Sequence, residues 1–418
     1  MSSQEQKKQD AIIGKIVREI RNSAIIKQGY SSRDVLASVK HINAMAQDMK
    51  GTKRADYIKG SVEELNREFR SNLGTWNFII TVENLKIQPQ SFKIGHIKFF
   101  KFSSHKRKEM KTQLWRLLKD NPHYNTKWKK NYVKEHEKRI LLPIEEKTCA
   151  MIQVTGRLDK AQLEAYDKVE TAIAVLKLYK SPLYDRQRQY FHITGKVVPN
   201  VIRTTLRNTT DGENINPTME WVGARTPFEL TNQKIQSMKK AGFPKIHKML
   251  KKKKHDELES GIINTIRLFG AACDIIVTKS STRTPIGLGF PSDKSSMPKT
   301  SFEAISLNDR LVSLFVALES LLIFDEKEPL SNNIAERAAF LLADNYWDRA
   351  KIKKFMKDMY TLRSAHVHHG KSNLDHKTLQ RFSNYVQSVI LTLIIRKDRL
   401  KLRTENHLKN WFERKKLT

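Results

Sequence analysis

Cysteine is nearly absent. Cys149 and Cys273 are the only two in 418 residues, which excludes a disulfide framework and a Cys-rich zinc site. Acid is scarce as well: 44 Asp and Glu stand against 77 Lys and Arg, leaving a net charge of +33 and a pI near 10.0. Long apolar runs are missing. The longest, within "VQSVILTLIIRKD", is too short to span a bilayer, and the opening "MSSQEQKKQD" has no apolar core of a secretory signal. No HExxH motif or zinc-type Cys/His spacing occurs, and "GLGF" is too short and badly placed for a phosphate loop. These absences lead to the expectation of a soluble, cytoplasmic chain with no metal, no cofactor and no membrane partner.

What the chain has in excess is positive charge, which attracts polyanions and speeds their encounter. Nucleic acid is the first candidate. An anionic membrane surface is the weaker one, because no long segment reads as a basic amphipathic anchor. A lysine-rich genome is the bland explanation. Hydrophobic residues make up 39% of the chain, enough for packed cores.

Periodicity predicts an α+β fold, predominantly helical, in three parts. Residues 1–72 read as an N-terminal helical segment: "DAIIGKIVREIRNSAII" sets Ile12, Ile13, Ile16, Val17 and Ile20 at helical spacing. Residues 73–230 read as a mixed α/β, basic domain, for RNA binding or sensing. There "WNFIITVENLKI" and "GHIKFFKF" are β-branched and aromatic, and "CAMIQVTGRLDKAQLEAYDKVETAIAVLKLY" reads as strand, turn and long helix. Residues 231–418 read as a helical bundle. Five helices are predicted over 257–277, 307–324, 333–343, 347–369 and 375–400, with a Pro/Gly/Ser-rich loop between the first two.

The charge concentrates between Lys98 and Arg139, where fourteen Lys or Arg face four acids, a net of +10. Phe99, Phe100, Phe102, Trp115, Tyr124, Trp128 and Tyr132 are interleaved with them. Basic groups hold phosphates and aromatic faces stack bases, so the mixture suits single-stranded nucleic acid. A lysine-covered surface over an aromatic core fits the same residues. Lys127, Trp128, Lys129 and Lys130 are the candidate RNA contacts.

One stretch, "YTLRSAHVHHGKSN" (360–373), packs an arginine and three histidines into a predicted helix end, with Gly370 as a C′ residue. A guanidinium grips phosphate oxygens and stabilises charge developing there. An imidazole near neutrality can move the proton of a 2′-hydroxyl or a leaving oxygen. Arg363 and His368 are five residues apart, roughly 140° around an ideal helix, so they meet only if the long Arg side chain or a fraying helix end brings them together. By spacing alone, chance placement is the stronger explanation. His368 and His369 are adjacent and point about 100° apart, which is poor geometry for one metal.

The stretch "MYTLRSAHVHHG" resembles the R-x4-6-H motif of HEPN domains, which are small helical bundles. The upstream "ALESLLIFDEKEPLSNNIAERAAFLLADN" is similar to the Apea-like branch of that family, and "INTIRLFGAACD" resembles the branch's opening helix. The likeness covers about residues 231–400. It implies Arg363 as the motif arginine, Ser364 as its polar neighbour and His368 as the motif histidine. His369 also satisfies the spacing, as R-x5-H. His366 does not, and packing or solvent is its expected place. Glu319 matches the branch's "ALE" acid and is expected to orient Arg363 or to form a core-edge salt bridge.

The same resemblance implies a homodimer with two motifs facing one cleft, and a metal-independent endoribonuclease that cleaves through the neighbouring 2′-hydroxyl. Such enzymes occur in toxin, abortive-infection and anti-phage defence systems, so RNA, a phage-derived trigger or an antitoxin are the implied partners. Two alternatives stay open: a non-catalytic RNA-binding or dimerisation protein built on the bundle, and a basic DNA-binding regulator.

Overall fold

The computed structural model describes residues 73–119, 125–180, 228–274, 301–369 and 374–417, together with 192–193, 204–205, 218–219 and scattered positions between 40 and 64. The expected N-terminal helical segment lies largely outside these residues. Its described positions, 40–42 and 44–45 among them, are helical. Gly370, Tyr124 and the Pro/Gly/Ser-rich loop also fall outside.

The described chain is mostly helical with a small sheet, as the α+β expectation has it. The strands are β1 (Leu73–Glu83), β2 (Leu85–Ile87), β3 (Ser91–Ile94), β4 (Ile97–Lys101), β5 (Thr148–Arg157), β6 (His192–Ile193), β7 (Thr204–Thr205), β8 (Thr218–Met219) and β9 (Phe228–Leu230). The main sheet has the order β3-β4-β5-β1-β6, with β2–β9 and β7–β8 as separate pairs. The helices are α1 (Ser104–Lys119), α2 (Thr126–His136), α3 (Leu158–Tyr179), α4 (Asn232–Lys240), α5 (Phe243–Met249), α6 (Glu257–Asp274), α7 (Ser301–Leu322), α8 (Leu330–Leu342), α9 (Tyr346–His369), α10 (His376–Arg396) and α11 (Glu405–Lys416). No helix among the described residues is long and apolar enough to cross a membrane.

Two compact units result. The first comprises Met1–Ile80 and Ala150–Val169, the second Thr81–Cys149 and Glu170–Thr418. In the first, β1 and β5 are tied by side chains. Thr75 Oγ1 and Thr155 Oγ1 are 3.0 Å apart, and the Trp76 indole donates to the Gly156 carbonyl at 2.9 Å.

In the second unit, β3 and β4 pair antiparallel from Ser91↔Phe100 to Ile94↔Ile97, which leaves Gly95 and His96 as a two-residue turn. Such turns favour positive φ, and Gly95 supplies it at 56°. A side chain there would also meet Leu250 Cβ at 2.9 Å. The Gly95 N–H donates to His247 Nδ1 at 3.2 Å, and Phe92 stacks on Phe243 at 5.2 Å. Burial, reinforced by the Lys251 charge, holds the His247 pKa below its ordinary value, so the ring is kept as a neutral acceptor.

The bundle is built on helices whose apolar faces are closed. Leu311, Leu314, Phe315, Leu318 and Leu322 of α7, Leu341 of α8, Met356 and Met359 of α9 and Phe382, Val386 and Ile390 of α10 are each 1% exposed or less. The second half of α3 lies against α6 through small residues: a Cβ on Gly270 would fall 2.6 Å from the Ala174 Cβ.

Three buried cations, Lys397, Arg337 and Lys177, are held by ion pairs. Asp256 opens α6 with a capping box: the Glu259 N–H donates to Asp256 Oδ1 at 2.8 Å and Asp256 N–H to Glu259 Oε2 at 3.2 Å. Lys397, just past α10, reaches both carboxylates at 3.1 Å. Burial pushes the Asp256 and Glu259 pKa values up, but hydrogen bonds from the backbone, Lys397, Lys252 and Arg403 outweigh it, and both end below the usual range. Arg337 of α8, 2% exposed, donates to Glu328 and to the Leu322 carbonyl, with Phe324 4.5 Å from its guanidinium. Lys177 is buried against Asp274.

Candidate functional site

Arg363 and Glu319 meet where α9 crosses α7. Two aromatic contacts set the crossing. Phe315 lies edge-on to Tyr360 at 5.4 Å, and Phe315 also packs on Phe382 at 4.6 Å. One turn along each helix, Arg363 and Glu319 come within reach, with Nη2 3.6 Å from Oε1. Their side chains are 19% and 22% exposed. The guanidinium also sits 5.4 Å from the Tyr360 ring, which fixes its plane from a second side.

The pairing is electrostatic and leaves hydrogen-bonding capacity unused. Arg363 Nε and Glu319 Oε1 are both buried and have no hydrogen-bond partner. A buried unsatisfied donor costs about 1–3 kcal/mol, so its persistence at one spot marks a place where a further acceptor would be stabilised. A guanidinium held this way keeps free donors for an oxyanion.

Ser364 follows, half-buried. His368 and His369 are exposed in the last turn of α9, their rings 6.4 Å apart and inclined by 59°. A cation is stabilised at that helix end. His366 is half-buried between α9 and α7. It is 19% exposed, its Nε2 lies 3.9 Å from Asp309 of α7, and its Nδ1 is buried without a partner. Sequence spacing alone gave no sign of this pair, since Asp309 precedes His366 by more than fifty residues. Arg310, next to Asp309, is also half-buried and directs Nη2 toward Cys273 Sγ at 4.0 Å.

Burial pushes the Cys149 thiol up to about 12. Among the described residues, no group of three or more His, Cys, Asp or Glu is gathered closely enough to hold a metal ion.

In the basic segment the aromatics divide. Phe99, Phe100 and Phe102 are core residues, whereas Trp128 and Tyr132 are 40% and 43% exposed. Lys127 and Lys130 face solvent. Lys129 does not. It is 8% exposed, and its ammonium donates to the Lys119 carbonyl at 2.8 Å, fastening α2 to the end of α1. The reason is geometric: Lys129 and Val133 are one turn apart and are the buried residues of α2.

No protein-family model, curated protein or solved structure matches this chain.

Proposed function

We propose that the chain is a metal-independent endoribonuclease of the HEPN type, active as a homodimer in an anti-phage defence or toxin-like role. The observation that carries the reading is the Arg363–Glu319 pair, half-buried, with Arg363 Nε lacking a partner. A phosphodiester oxygen supplies the missing acceptor. Glu319 and Tyr360 act as positioning residues that hold the guanidinium ready, which lowers the reorganisation needed as charge develops.

In this mechanism the 2′-oxygen attacks the adjacent phosphorus and the bond to the 5′-oxygen breaks. The 2′-proton passes to an imidazole, and a proton is delivered to the departing 5′-oxygen. A cyclic phosphate remains on one fragment. His368 is assigned the proton transfer, with His369 as the alternative register. A composite dimer site would supply the second imidazole. Val367 lies four residues beyond Arg363, and Val316 three before Glu319. Both are exposed, 50% and 39%, and they give a partner subunit apolar surface on the same helix faces.

The test is incubation of the purified protein with total RNA in EDTA, followed by chemical mapping of the ends. Cleavage leaving cyclic phosphate ends, lost in Arg363→Ala, supports the reading. Binding without cleavage makes the chain an RNA-binding protein instead.

A further inference from the structure

We propose that the lysine-rich turn after α5 and the tip of the β3–β4 hairpin together form a docking patch for the phosphodiester backbone of nucleic acid. Lys93, Lys248, Lys251, Lys253 and Lys254 are its phosphate contacts. The proposal rests on this patch alone and holds whether or not Arg363 serves a nuclease.

Two remote segments build the patch, both inside the second unit. His247 of α5 accepts the Gly95 N–H at 3.2 Å, and His96 Nε2 lies 3.0 Å from the Lys251 carbonyl. These two bonds span 152 and 155 residues of sequence. The turn itself is tied down. The Lys251 and Lys252 N–H groups donate to the Lys248 and Met249 carbonyls at 3.2 and 3.0 Å, and His255 Nε2 lies 3.1 Å from the Met249 carbonyl. The ammonium groups therefore stand on an ordered backbone, which lowers the entropy lost on binding. Burial first, and then the positive charges of Lys251, His96 and Lys93, hold the His247 pKa down, so these three cations surround one ring.

The lysines divide by partner. Lys252 pairs with Glu259 at 2.5 Å and serves the fold. Lys93, Lys248, Lys251, Lys253 and Lys254 are exposed, and among the described residues none of them pairs with a carboxylate. Asp256 and Glu259 are already held by Lys397, which leaves Glu257 as the one exposed acid between 251 and 259. A lysine-rich coat explains exposed lysines singly. Here hydrogen bonds gather them from two segments with little acid between them, at a cost in self-repulsion that a polyanion relieves. The aromatics of both segments, Phe92, Phe99 and Phe243, are buried, so bases find nothing to stack on and phosphates are the groups addressed. No large apolar side chain is exposed between 85 and 101 or between 243 and 259. The insertion that would seat the patch on a membrane is therefore not supplied.

The test measures fluorescence anisotropy of labelled oligo-dT and of a DNA duplex of equal length against the full chain, across a salt series. DNA lacks the 2′-hydroxyl that the proposed cleavage needs, so the readout is independent of the nuclease reading. Each variant is first checked for native circular dichroism. Lys251→Ala, Lys253→Ala and Lys254→Ala together should lower the salt slope on oligo-dT by about 2, at about 0.7 per lost contact, and weaken binding by about tenfold or more near about 0.1 M salt. On duplex the slope should fall at least as far, because no base is read. Adding Lys93→Ala should lower it further. Two controls separate place from net charge. Lys252→Ala should cost stability in urea and leave the slope unchanged. Lys351→Ala, Lys354→Ala and Lys357→Ala together remove three exposed lysines of α9 and should also leave it nearly unchanged. Sedimentation with phosphatidylcholine vesicles containing phosphatidylserine tests the membrane. The proposal is overturned if the 251/253/254 variant keeps the parent's slope, if Lys93→Ala adds nothing, or if either control flattens the slope as much. It is also overturned if the three lysines govern vesicle uptake and not oligonucleotide binding.

Discussion

Lys397→Met should cost about 3 kcal/mol at pH 7. The Lys397 side chain is 5% exposed and bridges Asp256 and Glu259, the latter 4% exposed. Removing one member of a buried pair leaves the other charge uncompensated, typically at about 3–5 kcal/mol. The low end applies because Lys252 stays 2.5 Å from Glu259, and Arg403 stays 3.4 Å from Asp256. Methionine keeps the apolar stem, so the loss is electrostatic rather than a cavity. The pH dependence follows from direction. Both carboxylates lie below their ordinary pKa values when folded. Their contribution is therefore present above the unfolded values, about 3.9 for Asp and 4.3 for Glu, and is lost as pH falls through the folded ones. In the variant, burial without Lys397 favours protonation, so acid relieves the penalty. Urea unfolding followed by circular dichroism at 222 nm should show a gap between parent and variant that narrows from pH 7 to pH 4. A loss below about 1 kcal/mol, or an equal loss at both pH values, refutes the reasoning.

His247 accepts the Gly95 N–H as a neutral ring and has a lowered pKa. Protonation therefore favours the unfolded chain, and stability should drop as pH falls below about 6.5; in His247→Gln the difference in melting temperature between pH 7.5 and 5.5 should shrink. Gly270→Ala forces a Cβ to within 2.6 Å of the Ala174 Cβ and should cost about 1–3 kcal/mol by overpacking in urea titration, whereas Gly261→Ala, with open space around its Cβ, should not. Light scattering should show a dimer at micromolar concentration, and a strict monomer with and without RNA would remove the composite site.

Where apolar periodicity was strong, the sequence located the helices well. The prediction over 347–369 compares with α9 at Tyr346–His369, and that over 375–400 with α10 at His376–Arg396. The strand at "WNFIITVENLKI" is divided in the structure at Asn84, whose φ of 57° breaks β1 from β2. Helices α1 and α2 escaped notice because lysine dominates them. In α2 the inward face is Lys129 and Val133, one of them charged, so no apolar stripe exists to be read. Burial of Lys129 depends on a carbonyl ten residues away, and exposure of Trp128 depends on which face that carbonyl claims. Sequence lists the aromatics but does not sort them. The Arg363–Glu319 pairing was reachable through family likeness. The His366–Asp309 approach was not, since it exists only because α9 crosses α7.

The most direct measurement is the RNA cleavage rate, in EDTA, of the parent and four variants: Arg363→Ala, His366→Ala, His368→Ala and His369→Ala. Each is first checked for native circular dichroism. Loss of the Arg363 guanidinium or of the proton-transferring imidazole should lower the rate by about a hundredfold or more. The account predicts that Arg363→Ala and His368→Ala fall that far, while His366→Ala stays near the parent. A fall in His369→Ala in place of His368→Ala moves the register by one residue. If Arg363→Ala cleaves as fast as the parent, the half-buried arginine is not a phosphate-binding group and the nuclease reading fails.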